Sequence, residues 1–240
     1  MVKSRWDYGD AGDKYPLQKG EVWRVGNHWL TVLDHADAGE PSRRYLGFLA
    51  ARGVKPDAVF VDPPWDRGNA RAFRTKAFGE SEAVDFDGLI TSVLAAVSAS
   101  GVRVFTVEMG VRNADAVCAA IASAFPGFAV DTVGGLYYKK KPCVYIVAGD
   151  ESRMVNACAT QIMSLNDTEA PMAFALACGC PVLYHPCMGR GLMATTAQKI
   201  GISSVGSELN PRRLAVTVDL LVKATGERPV LEGKWMEHSG

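Results

Sequence analysis

Short runs that are apolar on successive positions, rather than on alternate ones, recur along this chain. They are "DAVFVD" (57–62), "VRVFTVE" (102–108), "PVLYH" (181–185) and "ISSVGSE" (202–208), with "EVWRV" (21–25) before them. A strand can be apolar on both sides only if both sides are covered, a condition that helix-covered parallel sheets meet. The intervening sequence supplies the helices. Leu89, Ile90, Val93, Leu94 and Val97 make a stripe at helical spacing that Gly101 stops. Asn210 and Pro211 give a cap and first turn ahead of Leu214, Val218, Leu221 and Val222, and Gly226 closes that helix. "FAVDTV" and "PCVYIVAG", on either side of "GGLYYKKK", predict an antiparallel pair, with "LYYKKK" able to extend either strand. The expectation is an α/β fold: a mainly parallel seven-stranded sheet with an antiparallel hairpin strand, and helices on both faces.

At 240 residues and 48% hydrophobic composition the chain can bury one large core, so one domain is expected over 21–240, with 1–20 as a loosely held arm. Lys+Arg and Asp+Glu both number 26, so no global field draws the protein to nucleic acid or to an anionic membrane. Contacts with a polyanion must be local. No segment approaches the roughly 20 apolar residues of a membrane span, and the N-terminus has no signal-like apolar core. A cytoplasmic location follows as an expectation. Six cysteines without a CxxC pair predict reduced thiols.

Two segments carry chemistry. In "AVFVDPPWDRGNARAF" (58–73) an apolar run ends in an acid, two prolines and a tryptophan. Prolines fix φ and remove donors, so a carboxylate and carbonyl acceptors are held there in rigid geometry. In "YHPCMGRGLMATTAQKIGISSVGSELNPRR" a strand ending at His185 runs into the turn Gly189-Arg190-Gly191, then a helix, then a strand ending in Glu208. Glu208 stands 17 positions after Gly191, near the spacing of about 20 that lets a carboxylate hold ribose hydroxyls. A nucleoside cofactor is implied, although GxG alone also serves any tight turn. Ala194 and Thr195 stand where a third glycine would favour a dinucleotide. Cys178, Cys180, His185 and Cys187 are metal-ligand types, but their spacings are not those of common zinc folds, and no metal is expected. His28, His35 and His238 form no triad with a serine or cysteine.

The order of these segments resembles the S-adenosylmethionine-dependent amino-methyltransferases, especially the permuted beta-class DNA adenine-N6 and cytosine-N4 enzymes. There a D-P-P-Y/F/W segment precedes a D-P-F-x-G-x-G segment. The resemblance covers most of the chain: "RVGN" before "LTVLD" looks like the family's G-D segment, and "EAPMAFAL" like its K-P helix. The chain departs from the pattern at His185 for Asp, Cys187 for Phe, and Glu169-Ala170 for the lysine.

The resemblance implies a single Rossmann-like methyltransferase domain, with a catalytic half (21–150), a cofactor half (168–226) and no separate target-recognition domain. The implied cofactor is S-adenosyl-L-methionine, bound by Asn27, Asp62, His185, Pro186, Cys187, Gly189, Gly191, Glu208 and Asn210. Asp62, Pro63, Pro64 and Trp65 would be catalytic. Asp62 and the Pro63 carbonyl would accept hydrogen bonds from an exocyclic amine, while Trp65 stacks on a flipped base. Arg67, Arg71, Arg74, Lys76, Lys139, Lys140 and Lys141, interleaved with Tyr137 and Tyr138, suit phosphate contacts and stacking, with solvated loop charge as the alternative. The implied partner is nucleic acid and the implied product N6-methyladenine in DNA. RNA, another amine, or a non-catalytic binding subunit are the alternatives; His185 speaks for the last. Specificity would then come from loops, a homodimer or a further partner.

Overall fold

A computed structural model describes residues 8–35, 39–79, 85–138 and 140–237. The strands are β1 (Glu21–Val25), β2 (His28–Val32), β3 (Ala58–Val61), β4 (Val104–Gly110), β5 (Ala129–Tyr137), β6 (Lys141–Gly149), β7 (Val182–Pro186), β8 (Ser203–Glu208) and β9 (Val230–Lys234). The helices are α1 (Ala11–Lys14), α2 (Glu40–Ala50), α3 (Arg67–Phe78), α4 (Phe86–Ser100), α5 (Ala114–Ala124), α6 (Ser152–Ile162), α7 (Ala170–Cys178), α8 (Leu192–Lys199) and α9 (Pro211–Thr225). The strands form one mixed sheet in the order β5-β6-β4-β3-β7-β8-β2-β1-β9. Parallel pairing joins β4, β3, β7, β8 and β2. Antiparallel strands complete both edges.

The sheet therefore has nine strands where seven were expected, and its antiparallel share is larger than one hairpin. The two additional strands are β2 and β9. A two-residue turn, Gly26 (φ 57°) and Asn27, folds β2 back on β1. His28 breaks the apolar pattern of β2 yet is fully buried, because Ser204 and Gln198 take its two ring nitrogens at 2.8 and 2.7 Å. β9 is an edge strand whose Val230 and Leu231 are exposed, so it has no apolar run to read. The tyrosine-lysine segment extends both hairpin strands, whose pairing reaches Tyr137 opposite Lys141.

Alternate residues of β2 serve opposite faces. Leu30 and Val32 pack with Leu214, Val218 and Leu221 of α9, while Trp29 and Leu33 join Tyr45 and Leu49 of α2. The stripe on α4 and the caps of α9 form as expected: Gly101 and Gly226 are left-handed, and the Asn210 side chain accepts from the Arg212 and Arg213 amides. Residues 8–20 are not a loose arm. Ala11, Tyr15 and Leu17 are buried against α9, and residues 1–7 lie outside the described ones. Among the described residues no helix is long and apolar enough to cross a membrane. All six cysteines are free thiols.

Gly135 of β5 lies against a neighbour that cannot move easily. A Cβ there would run into the Tyr145 ring and the Leu165 carbonyl oxygen. Gly135→Ala should lower the urea midpoint at unchanged m-value, a loss of about 1–3 kcal/mol.

Candidate active site

From β3 the chain proceeds to β4 on one side, and from β7 to β8 on the other, so β3 and β7 bracket a topological switch point. Ligands in open α/β sheets bind in the crevice beyond the carboxyl ends of such strands. A cavity of about 830 Å³ lies there, and it brings together the ends of β2, β3, β4, β7 and β8.

β3 delivers Asp62, Pro63, Pro64 and Trp65 to the lining. Trp65 is only 8% exposed and forms a wall. Its ring lies over Gly110, where a Cβ would approach to 2.9 Å. The Tyr137 ring stands 4.7 Å from it, tilted by 56°, the Lys141 ammonium caps it at 4.7 Å, and Asn113 donates to its carbonyl at 2.6 Å. Trp65 thus lines the cavity with its ring packed between Gly110, Tyr137 and Lys141. Tyr137 and Tyr138 line the same mouth, and Tyr138, at the hairpin tip with φ 47°, is 69% exposed.

Solvent reaches Asp62 through the cavity. Even so, the surrounding protein pushes its carboxyl up to about 7, by desolvation first and by Asp167 in addition, against the pull of Arg213 and a hydrogen bond with the Trp65 side chain. Glu108, two residues before the end of β4, and Asp167 ahead of α7 are buried and line the same cavity. Burial, then the charges of Asp62 and Asp167, push Glu108 far above the carboxylate range. Sequence reasoning does not single out Glu108, Asp167, Asp34 or Arg213 as site residues. For three of them the signal was position: Asp34 and Glu108 end apolar runs and Arg213 lies beside the "ELNP" corner, while Asp167 carried none.

On the cofactor side, Gly189 and Gly191 both have positive φ (67° and 81°). Gly189 lines the cavity; Gly191 does not, and serves instead to bring the turn against Thr217, which a Cβ would strike at 2.6 Å. Glu208 is buried and accepts from the Gly189 amide at 2.7 Å and the Asn210 amide at 2.9 Å, with Arg213 at 4.0 Å. His185, Pro186 and Cys187 line the cavity. Burial, and then His28, lower His185 to about 3, so it is a neutral imidazole, and neither ring nitrogen has a protein partner among the described residues. Cys187 takes the left-handed φ of 66°, rare outside glycine, and burial raises its thiol.

The structure does not bring Asn27 to this site: it is exposed in the β1–β2 turn, while Asp34 and His35 beyond β2 line the cavity. Asn210 is likewise outside the lining, used as the α9 cap and as a donor to the Lys76 carbonyl. Of the basic residues, Arg74 and Lys141 line the cavity, and Arg74 is held by both Asp34 oxygens at 2.9 and 2.8 Å. Arg67, Arg71 and Lys76 are exposed on α3 outside the lining, Arg67 with Asp87 at 3.6 Å, and Lys140 is exposed at the hairpin tip. Lys139 lies outside the described residues. Cys178 and Cys180 are likewise apart from the His185 and Cys187 lining.

The fold is similar to that of beta-class, S-adenosylmethionine-dependent DNA methyltransferases. M1.HpyAVI matches it with a TM-score of 0.52 at 13% identity over 80% of this chain and 97% of that one. So does TTHA0409 from Thermus thermophilus, solved with S-adenosyl-L-methionine (TM-score 0.50, 13% identity, 81% of this chain and 93% of that one). The PvuII DNA methyltransferase, which is cytosine-N4-specific, matches at TM-score 0.51 and 8% identity over 85% of this chain and 94% of that one. At these identities the likeness is one of fold. No protein-family model matches the chain, and no curated protein does by sequence.

Titration of the Asp62 carboxyl, followed by carbon NMR in the free protein, should centre near pH 7. Arg213→Met should move it higher, since the ionised form then loses a neighbouring cation. A midpoint in the ordinary carboxylate range would mean that cavity water offsets burial.

Proposed function

We propose that this protein transfers a methyl group from S-adenosyl-L-methionine to the exocyclic amine of a nucleic-acid base, with adenine N6 in DNA as the acceptor. One observation carries the reading: Asp62 with its two prolines opens into the same cavity as the Gly189 turn braced by Glu208.

The chain's residues fit the cofactor. The cavity is within the size range of ligand sites. Glu208 spends one acceptor site of each oxygen on a backbone amide, which leaves the others for ribose hydroxyls. His185, being neutral, sets no cation beside a sulfonium. When bound, the cofactor supplies an already activated methyl group. Asp62 in its ionised form accepts one N–H of the amine and the Pro63 carbonyl accepts the other, which orients the nitrogen lone pair. As the new nitrogen–carbon bond forms and the carbon–sulfur bond breaks, Asp62 is placed to take the proton that nitrogen loses. Catalysis is then alignment and fixed acceptors, with no covalent enzyme intermediate. Asp rather than Ser before the prolines favours adenine by family resemblance, and the cytosine-N4 specificity of the PvuII enzyme makes N4-methylcytosine the nearest other product.

Calorimetry should detect binding of S-adenosylmethionine, and Glu208→Ala should weaken it by about 1–3 kcal/mol. Absence of binding by the intact protein would sink the reading. Asp62→Ala should keep cofactor affinity within a few-fold and slow transfer by about a hundredfold or more. Because the Asp62 pKa is raised, its acceptor form is lost as pH falls. For the wild type kcat/KM should therefore drop about tenfold per unit below pH 7 and level off above it. Nucleoside mass spectrometry of labelled polymer should give N6-methyladenine. Label only in protein or a free small molecule would overturn the choice of acceptor.

A further inference from the structure

Glu108 has no part in the mechanism above, yet it stands at the floor of the same cavity. β3 and β4 run parallel with Val61 opposite Val107, so the next step of the register sets Asp62 abreast of Glu108. Across the other edge of β4, Glu108 faces Tyr145 of β6. Glu108 is 1% exposed, and its Oε1 has no hydrogen-bond partner among the described residues. A buried polar oxygen left without a partner costs stability, so its retention calls for a use.

The surroundings decide its protonation state. Asp62, Asp167, Tyr145, Cys143 and Tyr137 all interact with it electrostatically or border it, and none is a cation. Arg74 is engaged by Asp34, Arg213 by Glu208, and Lys141 by the Trp65 ring. Burial and the neighbouring acids therefore keep the proton on Glu108 at neutral pH. A protonated carboxyl offers what Asp62 and the Pro63 carbonyl lack, a donor.

We propose that Glu108, as a neutral acid, is a specificity-determining residue that donates its O–H to the ring nitrogen beside the methylated amine, N1 of adenine or N3 of cytosine. This rests on the base-methyltransferase reading and names the edge of the base that the site reads. Asp62 and Pro63 accept from the amine, and Glu108 donates to the adjacent bare nitrogen. Together they match an amine next to an unprotonated ring nitrogen. A ring N–H in that place meets a donor and is rejected.

The test places 1-deazaadenine, or 3-deazacytosine if cytosine proves the acceptor, in the methylated position of an oligonucleotide. Transfer rates are compared for the wild type, Glu108→Gln and Glu108→Ala. The wild type should lose about tenfold or more in kcat/KM on the deaza substrate. Glu108→Gln, which keeps a donor, should retain most of the wild-type preference for the natural base, and Glu108→Ala should fall to the difference set by the amine's own reactivity. The comparison across variants cancels the intrinsic change in amine reactivity, and the substrate change in the wild type needs no variant to fold. Equal rates on both substrates in the wild type, or an undiminished preference in Glu108→Ala, would overturn the inference while leaving the methyltransferase reading intact. Cofactor binding without transfer to either oligonucleotide would overturn the base-acceptor reading and this inference with it.

Discussion

Pairing of β3 with β7 determines where chemistry can occur in this molecule. Ala58 lies opposite Leu183 and Val59 opposite Tyr184, in parallel. Beyond that shared segment the chain departs toward opposite edges of the sheet, so no crossover helix can close over both strand ends. Asp62 leaves from one strand and His185 belongs to the other, and the cavity opens between their continuations. The antiparallel strands at both edges extend the sheet without altering this relation.

Electrostatics then separates the cavity into two regions. Where Asp34 and Glu208 meet Arg74 and Arg213, carboxylates have guanidinium partners. Around Glu108 the balance is reversed: burial and the charges of Asp62 and Asp167 favour the proton over the charge, while Asp62, which solvent reaches, is raised only to about 7. Two acids abreast on adjacent strands cannot both ionise cheaply, so their environments push them toward different tasks, an acceptor and a donor. The neutral His185 adds no charge to either region.

Much of this was legible from local pattern. The central strands announced themselves through uninterrupted apolar runs, α9 through Asn210, Pro211 and Gly226, and the cavity's two main contributors through the acid-proline segment and the glycine turn. What escaped depended on partners distant in sequence. His28 looks polar until Ser204 and Gln198 are seen beside it, which hid β2, and β9 buries too little to leave a pattern. Asn27 resembled a cofactor contact because its neighbourhood matched a motif, whereas the strand it precedes carries Asp34 and His35 to the lining instead. No local feature of the acid-proline segment predicts that Gly110, Tyr137 and Lys141 pack around Trp65. Spacing pointed to Glu208 as a contact for ribose hydroxyls; that it also braces the turn through the Gly189 and Asn210 amides is visible only in the fold.

The α3 wall differs in kind from the floor it borders. Ala70 is the one buried residue of α3, and the helix is tied inward by the Arg74–Asp34 pair and by Arg213 over the Phe73 ring at 4.5 Å. Lifting such a helix exposes little apolar surface and so carries only a small heat-capacity change, while its main fastening is screened by salt. The floor, built from packed strands, has the opposite signature. Calorimetrically the mouth and the base of this cavity are two different materials, one sensitive to ionic strength and the other to temperature.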